Sequence, residues 1–430
     1  MQHQQSISSK RPAVRRSVGL LAAAGLLLAA CGGDDDTANT TVAPETTESG
    51  TDAPEDNGSD GSDSDVDDVD SNESNGVGAG QDFKVGAILP LTGPAGAIGQ
   101  DFEAALRVFE RIDPTAAQIN IEFVVCDDAT TPDGASACAL RLIQQDQVDM
   151  IYGPVISGLH AAATPVLAGG PPSLSPSPYI SVEQGDPIFS AAGRATDLDR
   201  TTLQFAADRG YERVAILATT DTTGETAVQN LEAANESIGL SLAIERMGPG
   251  DVDVSAQVNR LLETDPQYVY IASSGAATGV ALQGFAQLES DLPTALIWSN
   301  TSPAFLEAAG PLMPSETLYA LAPSWLAENI EDAARAQLIT DFKDSFEEES
   351  GAQPSFLVQG GYDAFQLIAS ALLAVGNDRD AIVAYLEGLT DFQGLNWSLS
   401  YSAENRLGND TGNYVMFRYD ASTGNWSLAD

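Results

Sequence analysis

Apolar residues along the chain fall into short runs separated by longer amphipathic stretches. Lys84-Val85-Gly86-Ala87-Ile88-Leu89 is a nearly unbroken apolar run, the pattern of a strand covered on both faces. Gly93-Pro94-Ala95-Gly96-Ala97-Ile98-Gly99 then reads as a turn, and Phe102, Leu106 and Phe109 mark one stripe of a helix predicted over 102–112. The same reading predicts a strand over 120–125, a helix over 135–145 and a third strand over 148–152, which Gly153-Pro154 stops. A helix over 158–167 and a Pro-rich loop over 169–178 follow. Strands alternating with helices in this way predict an α/β fold with a doubly wound parallel sheet.

The pattern then begins again. Arg213-Val214-Ala215-Ile216-Leu217 echoes the first strand, and Ser241–Glu245 the second. Arg260–Asp265 leading into Tyr268–Ile271 repeats Arg141–Asp146 leading into Val148–Tyr152 at an offset of 119 residues. Two tandem α/β lobes leave a cleft between them, and in open α/β sheets ligands sit beyond the carboxyl ends of the strands.

The first 82 residues have a different character. Lys10, Arg11, Arg15 and Arg16 precede an apolar stretch from Val18 to Leu28, which is too short for a stable membrane span. It ends in Leu28-Ala29-Ala30-Cys31-Gly32, which resembles a bacterial lipobox. Residues 1–30 are therefore expected to be a lipoprotein signal peptide and Cys31 the lipidated residue, with an uncleaved anchor helix as the other reading. Two or three acyl chains hold a protein on a membrane stably. Residues 31–82, with almost nothing but Asp, Glu, Ser, Thr, Gly, Asn, Ala and Pro, are expected to be a disordered acidic linker. About 50 flexible residues span roughly 40 Å. Calcium binding there is disfavoured by irregular acidic spacing.

Charge and composition narrow the function. The 430 residues hold 62 acids against 19 Lys and Arg, for a formal charge of −43. A nucleic-acid partner is thereby excluded, since nothing would neutralise phosphates. Catalytic side chains are scarce. The chain has two histidines, and only His160 lies beyond the signal, so a zinc site or a Ser-His-Asp triad would rest on it alone. A solvated or capping role at a helix start is the plainer expectation for His160, with ligand contact as the other. Gly93-x-x-Gly96-x-x-Gly99 is followed by Gln100-Asp101 and matches no nucleotide-binding loop. Asp127-Asp128 could pair for acid–base work but reads more simply as a solvated strand end. Neither enzymatic activity nor a metal or cofactor is called for. Cys126 and Cys138 either form a bridge outside the cytoplasm or stay as buried thiols.

These segments together carry a resemblance. Val85 to Pro94, Asp127-Asp128, Tyr152-Gly153-Pro154 with Ser157, Ser175-Pro176-Ser177, Gly361-Tyr362-Asp363-Ala364 and Phe392-Gln393-Gly394 stand in the order and spacing of one family. From about Phe83 to Asn425 the chain resembles type I periplasmic binding proteins of the leucine/isoleucine/valine-binding group, the solute-capture components of ABC importers. The resemblance also places a Cys126–Cys138 disulfide.

It implies two lobes joined by three crossovers near 195–200, 321–325 and 408–413. Lobe 1 would comprise 83–199 plus 325–408, and lobe 2 would comprise 200–324 plus 409–430. The lobes would close on ligand as a hinged trap. Ser157, with the backbone of Gly158 at a helix start, matches the carboxylate-holding position. Ser175, Ser177 and Tyr179 match the loop that gives backbone and hydroxyl contacts, with Tyr179 where Thr is usual. Asp199 matches the acid of the first crossover. Thr223 and Ser274 stand where aromatic residues are usual. Thr301, beside Asn300, stands where a carboxylate meets the ligand ammonium. Trp298 and Trp325 are expected as wall or core. The resemblance thus implies a monomeric, lipid-anchored extracytoplasmic protein. It would deliver a small polar solute (an amino acid, an amide or a urea-like molecule) to ABC permease subunits in the membrane. A ligand sensor or scaffold of the same fold, without transport, is the alternative.

Overall fold

The computed structural model describes residues 76–180, 182–408 and 414–429. The expected signal peptide, Cys31 and most of the expected acidic linker lie outside these residues. The linker expected to run to residue 82 ends sooner. Gly78 N–H donates to Leu373 O at 2.9 Å and Gly80 N–H to Gln118 O at 2.9 Å. A Cβ at Gly78 would stand 2.1 Å from Leu372 O. Glycine here permits backbone to lie against backbone, a use that composition does not distinguish from flexibility.

The first sheet has the order β2-β1-β3-β4-β5, from β1 (Asp82–Leu89), β2 (Asn120–Asp127), β3 (Met150–Tyr152), β4 (Ser173–Ser175) and β5 (Ile188–Ser190). All its pairings are parallel. Between them run α1 (Gly96–Ile112), α2 (Pro132–Arg141) and α3 (Ser157–Leu167). The second sheet contains β6 (Arg213–Thr219), β7 (Ser241–Met247), β8 (Tyr268–Ala272), β9 (Thr294–Leu296) and β10 (Thr317–Leu321) as parallel neighbours. After a small hairpin of β11 (Phe392–Gln393) and β12 (Ser398–Leu399), the strands β13 (Val415–Asp420) and β14 (Asn425–Leu428) extend it antiparallel beside β10. The second half thus repeats the first, as the 119-residue echo predicts.

Helices α4 (Ala195–Asp208), α5 (Thr222–Ile238), α6 (Ser255–Leu262), α7 (Ala276–Gln287) and α8 (Pro303–Ala309) belong to the second lobe. The chain then returns: α9 (Ala333–Ser350) and α10 (Phe356–Val375) pack on α1, and α11 (Arg379–Glu387) packs on α10. The stretch 195–200, expected as the first crossover, is the opening of α4, which packs against α5. Side-chain caps explain several helix starts. Thr131, Asp221, Ser302, Asp332, Ser355 and Asp378 each accept a backbone N–H of the first turn.

Two predicted boundaries move for identifiable reasons. Helix α1 begins at Gly96 rather than residue 102. A Cβ at Gly99 would lie 2.3 Å from Pro90 O, so the glycines that read as a turn are a helix face pressed onto the preceding loop. The expected loop 169–178 contains buried β4, paired to β3 and β5. Its three residues lie between Pro-rich flanks and carry no alternation to read. Behind the sheet, Tyr152 stacks on Phe365 of α10 at 4.2 Å between ring centroids, and Phe109 packs edge-on to Tyr362. Cys126 and Cys138 are bridged, with Cα atoms 5.7 Å apart. No helix among the described residues is long and apolar enough to cross a membrane.

Candidate ligand-binding site

The carboxyl ends of the first-lobe strands bring five expected residues together. Ser157 opens α3, and its Oγ lies 2.6 Å from Ser177 Oγ. Ser175, buried at the end of β4, donates to Pro154 O at 2.8 Å and accepts from Ser177 N–H at 3.3 Å. Gly158 is exposed beside them. Tyr179 extends from this loop to the second lobe, where its ring stacks on Trp298 with centroids 6.4 Å apart and planes 18° from parallel.

Facing them are residues that the second lobe holds by its own bonds. Asp199, on α4 and 2% exposed, accepts from Tyr270 Oη at 2.7 Å and from Asn230 Nδ2 at 2.8 Å. Burial pushes its carboxyl up to about 7 against those two donors. Asn300 accepts from Gly275 N–H and donates to Ser273 O, both at 2.8 Å, and so ties the β8–α7 loop. Thr301 accepts Phe356 N–H at 3.0 Å, joining the second lobe to the start of α10. Ser274 is exposed, with its Oγ 2.7 Å from Ser299 Oγ. Thr223 is half-buried in the first turn of α5.

Between the lobes is a cavity of about 290 Å³. Tyr179, Arg194, Thr222, Thr226 and Asn230 line it. The contribution of α5 comes from Thr222, Thr226 and Asn230 rather than Thr223. Their spacing of four places them on one stripe of α5, a sequence signal that the aromatic-before-glycine expectation obscured. Arg194 supplies a guanidinium, held loosely by Asp197 with Nε 3.7 Å from Oδ2.

Two donors in this region lack a good partner. Tyr179 Oη and Trp298 Nε1 are buried, and neither completes a hydrogen bond of full geometry. Desolvation first, and the charge of Asp199 second, push the Tyr179 phenol well above its ordinary range, with the Trp298 N–H opposing. Such atoms are costly unless something polar meets them.

Other candidates prove structural. His160, expected as solvated or capping, is 1% exposed, and burial lowers it to about 4. Its Nδ1 is 3.3 Å from Thr164 Oγ1. It faces inward, so it neither caps α3 nor meets water. Asp127 accepts from Thr92 N–H at 3.1 Å and from Thr92 Oγ1 at 2.6 Å, which ties two loops together. Asp127 stays exposed at the strand end, whereas Asp128 is buried and pushed up by desolvation, so the solvated reading holds for Asp127 alone.

A family model described as periplasmic binding protein matches residues 82–424. The leucine-, isoleucine-, valine-, threonine- and alanine-binding protein of Pseudomonas aeruginosa is 27% identical over 215 residues, 48% of this chain. The match spans 57% of that relative's length, little more than half. An extracellular ligand-binding receptor from Rhodopseudomonas palustris HaA2 superposes with a TM-score of 0.72 at 20% identity, covering 81% of this chain and 100% of that one. A solute-binding protein of an ABC transporter from R. palustris, in complex with benzoate, gives 0.66 at 21% identity, covering 80% and 95%.

Proposed function

Since the chain belongs to the periplasmic binding protein family, we propose that it captures a small polar solute outside the cytoplasm by hinge closure and delivers it to ABC permease subunits. In this proposal the lipid on Cys31 holds the monomeric protein at the membrane. One observation carries the reading. The Tyr179–Trp298 stack bridges the lobes while both polar atoms remain underbonded, beside a cavity of about 290 Å³. That volume is at the small end of ligand sites and suits a solute of few heavy atoms.

The lining narrows the solute class. Arg194 favours a carboxylate or carbonyl oxygen, and Thr222, Thr226 and Asn230 supply hydroxyl and amide groups. The P. aeruginosa relative is named for amino acids and the R. palustris structure holds benzoate; both ligand classes carry a carboxylate. Groups that would hold an ammonium are weaker here. Thr301 replaces the expected carboxylate and is engaged by Phe356, and Asp199 already has two donors. Small carboxylates, amides and urea-like solutes fit this lining better than a standard amino acid.

A thermal-shift screen of amino acids, amides, urea and small carboxylates, followed by calorimetry, tests the reading. One class should give saturable stabilisation that Tyr179→Ala abolishes. A folded protein that responds to none of them overturns the proposal.

A further inference from the structure

A second cavity, of about 510 Å³, is lined by Trp325, and Phe356 packs edge-on to both Trp325 and Trp298. Its walls come from both lobes. Lys343 of α9 lies on one side, and Tyr419 and Trp426 of the β13–β14 hairpin on the other, with Trp325 between them in the connecting chain. Trp426 packs against Trp325 at 5.4 Å and against Tyr419 at 4.8 Å between centroids, so three aromatic residues join Leu306, Leu326, Pro303 and Pro354 in the apolar part of the lining. Trp325 also brings an indole N–H that is buried without a partner.

The charge on these walls is specific. Lys343 is the one cationic residue lining the cavity, and Glu307 is the one carboxylate residue among its lining. Its Nζ sits 4.5 Å above the Trp325 ring and donates to Trp325 O, leaving two of its three N–H groups for other acceptors. Desolvation lowers the ammonium to about 8, and nearby Glu328 opposes the shift. The cation seat over Trp325 is taken by the protein's own lysine, which disfavours a cationic guest. An anion beside Nζ would compensate the desolvated charge.

We propose that this cavity is a second ligand site, for a ring-bearing monocarboxylate whose ring meets Trp325, Trp426 and Tyr419 and whose carboxylate meets Lys343. Because the walls belong to both lobes and Thr301 lines the cavity while holding Phe356 N–H, occupancy favours the arrangement of the lobes seen here. By linkage it then changes solute affinity in the first cavity. The site itself does not depend on which solute the first cavity takes.

The lysine count makes the test direct. The sequence holds Lys10, Lys84 and Lys343, and Lys84 is exposed on β1. Acetylation of the purified protein by limiting acetic anhydride can be followed at both positions by peptide mass mapping. Phenylacetate should slow acetylation of Lys343 at least fivefold, saturably, with Lys84 unchanged. Its uncharged amide should protect at least threefold less. Equal slowing at both lysines, or none at either, overturns the site. Tyr179→Ala should leave the protection intact; its loss there would place phenylacetate in the first cavity and also overturn the site. Lys343→Met should abolish thermal stabilisation by phenylacetate while keeping the response to the first-cavity solute.

Discussion

Tyr179 of the first lobe lies parallel to Trp298 of the second, 6.4 Å apart, and the polar atom of each ring is underbonded. Apolar stacking joins the lobes there, with Tyr179 on the wall of the cavity of about 290 Å³ and the Trp298 N–H beside its phenol. Tyr179→Phe preserves the stack and removes only the hydroxyl. Calorimetry should show solute affinity falling about tenfold, the scale of one net hydrogen bond. Unchanged affinity would mean that the hydroxyl does not touch the solute.

Asp199 makes stability depend on pH. Its folded-state carboxyl is raised from 3.8 to about 7, chiefly by desolvation, so between those values the folded chain binds more protons than the unfolded one. Its contribution is complete below about pH 4 and is lost as pH rises towards 7, to a ceiling of about 4 kcal/mol. Asp199→Asn should flatten this decline, because the Tyr270 hydroxyl can turn to accept from the amide. Asp363, also raised to about 7 by burial, keeps part of the slope. Denaturant midpoints at pH 5 and pH 8 for parent and variant measure the difference; identical slopes would refute the assignment.

Thr301→Val tests the bond between lobes. The exchange keeps shape and leaves Phe356 N–H without its acceptor at the start of α10. Urea unfolding should show a loss of about 1–3 kcal/mol, with weaker solute binding. A variant as stable as the parent would mean that water or another acceptor takes over.

Reducing the Cys126–Cys138 bridge frees a loop of sequence separation 12. The chain-entropy model gives a loss of about 3 kcal/mol. Melting with and without reductant, alongside Cys126→Ala/Cys138→Ala, measures it. An exported protein with two free thiols would show that the bridge does not form.

Two glycines should respond oppositely to alanine. At Gly361 a Cβ would stand 2.2 Å from Phe102 Cε1 and 2.8 Å from Tyr152 Oη. Both neighbours are buried, so overpacking should cost about 1–3 kcal/mol. Around Gly158 nothing lies within 4 Å, and alanine there should leave stability equal or higher by up to about 1 kcal/mol. Loss of solute binding in Gly158→Ala then reports crowding of the ligand itself; unchanged binding would remove Gly158 from the site.

The elements legible in sequence were those whose signal is local. The run Lys84–Leu89 and the stripe Phe102, Leu106 and Phe109 announce a buried strand and its covering helix. The recurrence at 119 residues announces a second lobe. Less legible were elements whose residues serve distant neighbours. Ser173–Ser175 becomes a strand because β3 and β5 flank it, and Gly76 to Gly80 join the fold because α10 is beside them. Of the expected ligand residues, Ser157, Ser175, Ser177 and Tyr179 do gather on one edge. Asn300 and Thr301 are occupied with Gly275, Ser273 and Phe356.

By itself the sequence determined the order of elements, the doubling into two α/β lobes and the scarcity of catalytic side chains, because periodicity and residue inventory need no partner. Tertiary structure decided which polar groups remain available. Asp199 meets Tyr270 across 71 residues, and Thr301 meets Phe356 across 55. A hydroxyl or carboxylate in a string of letters is a donor or acceptor without an address. Only folding shows that these two groups are satisfied by the protein, while Tyr179 and Trp298 come together from 119 positions apart with their polar atoms still underbonded.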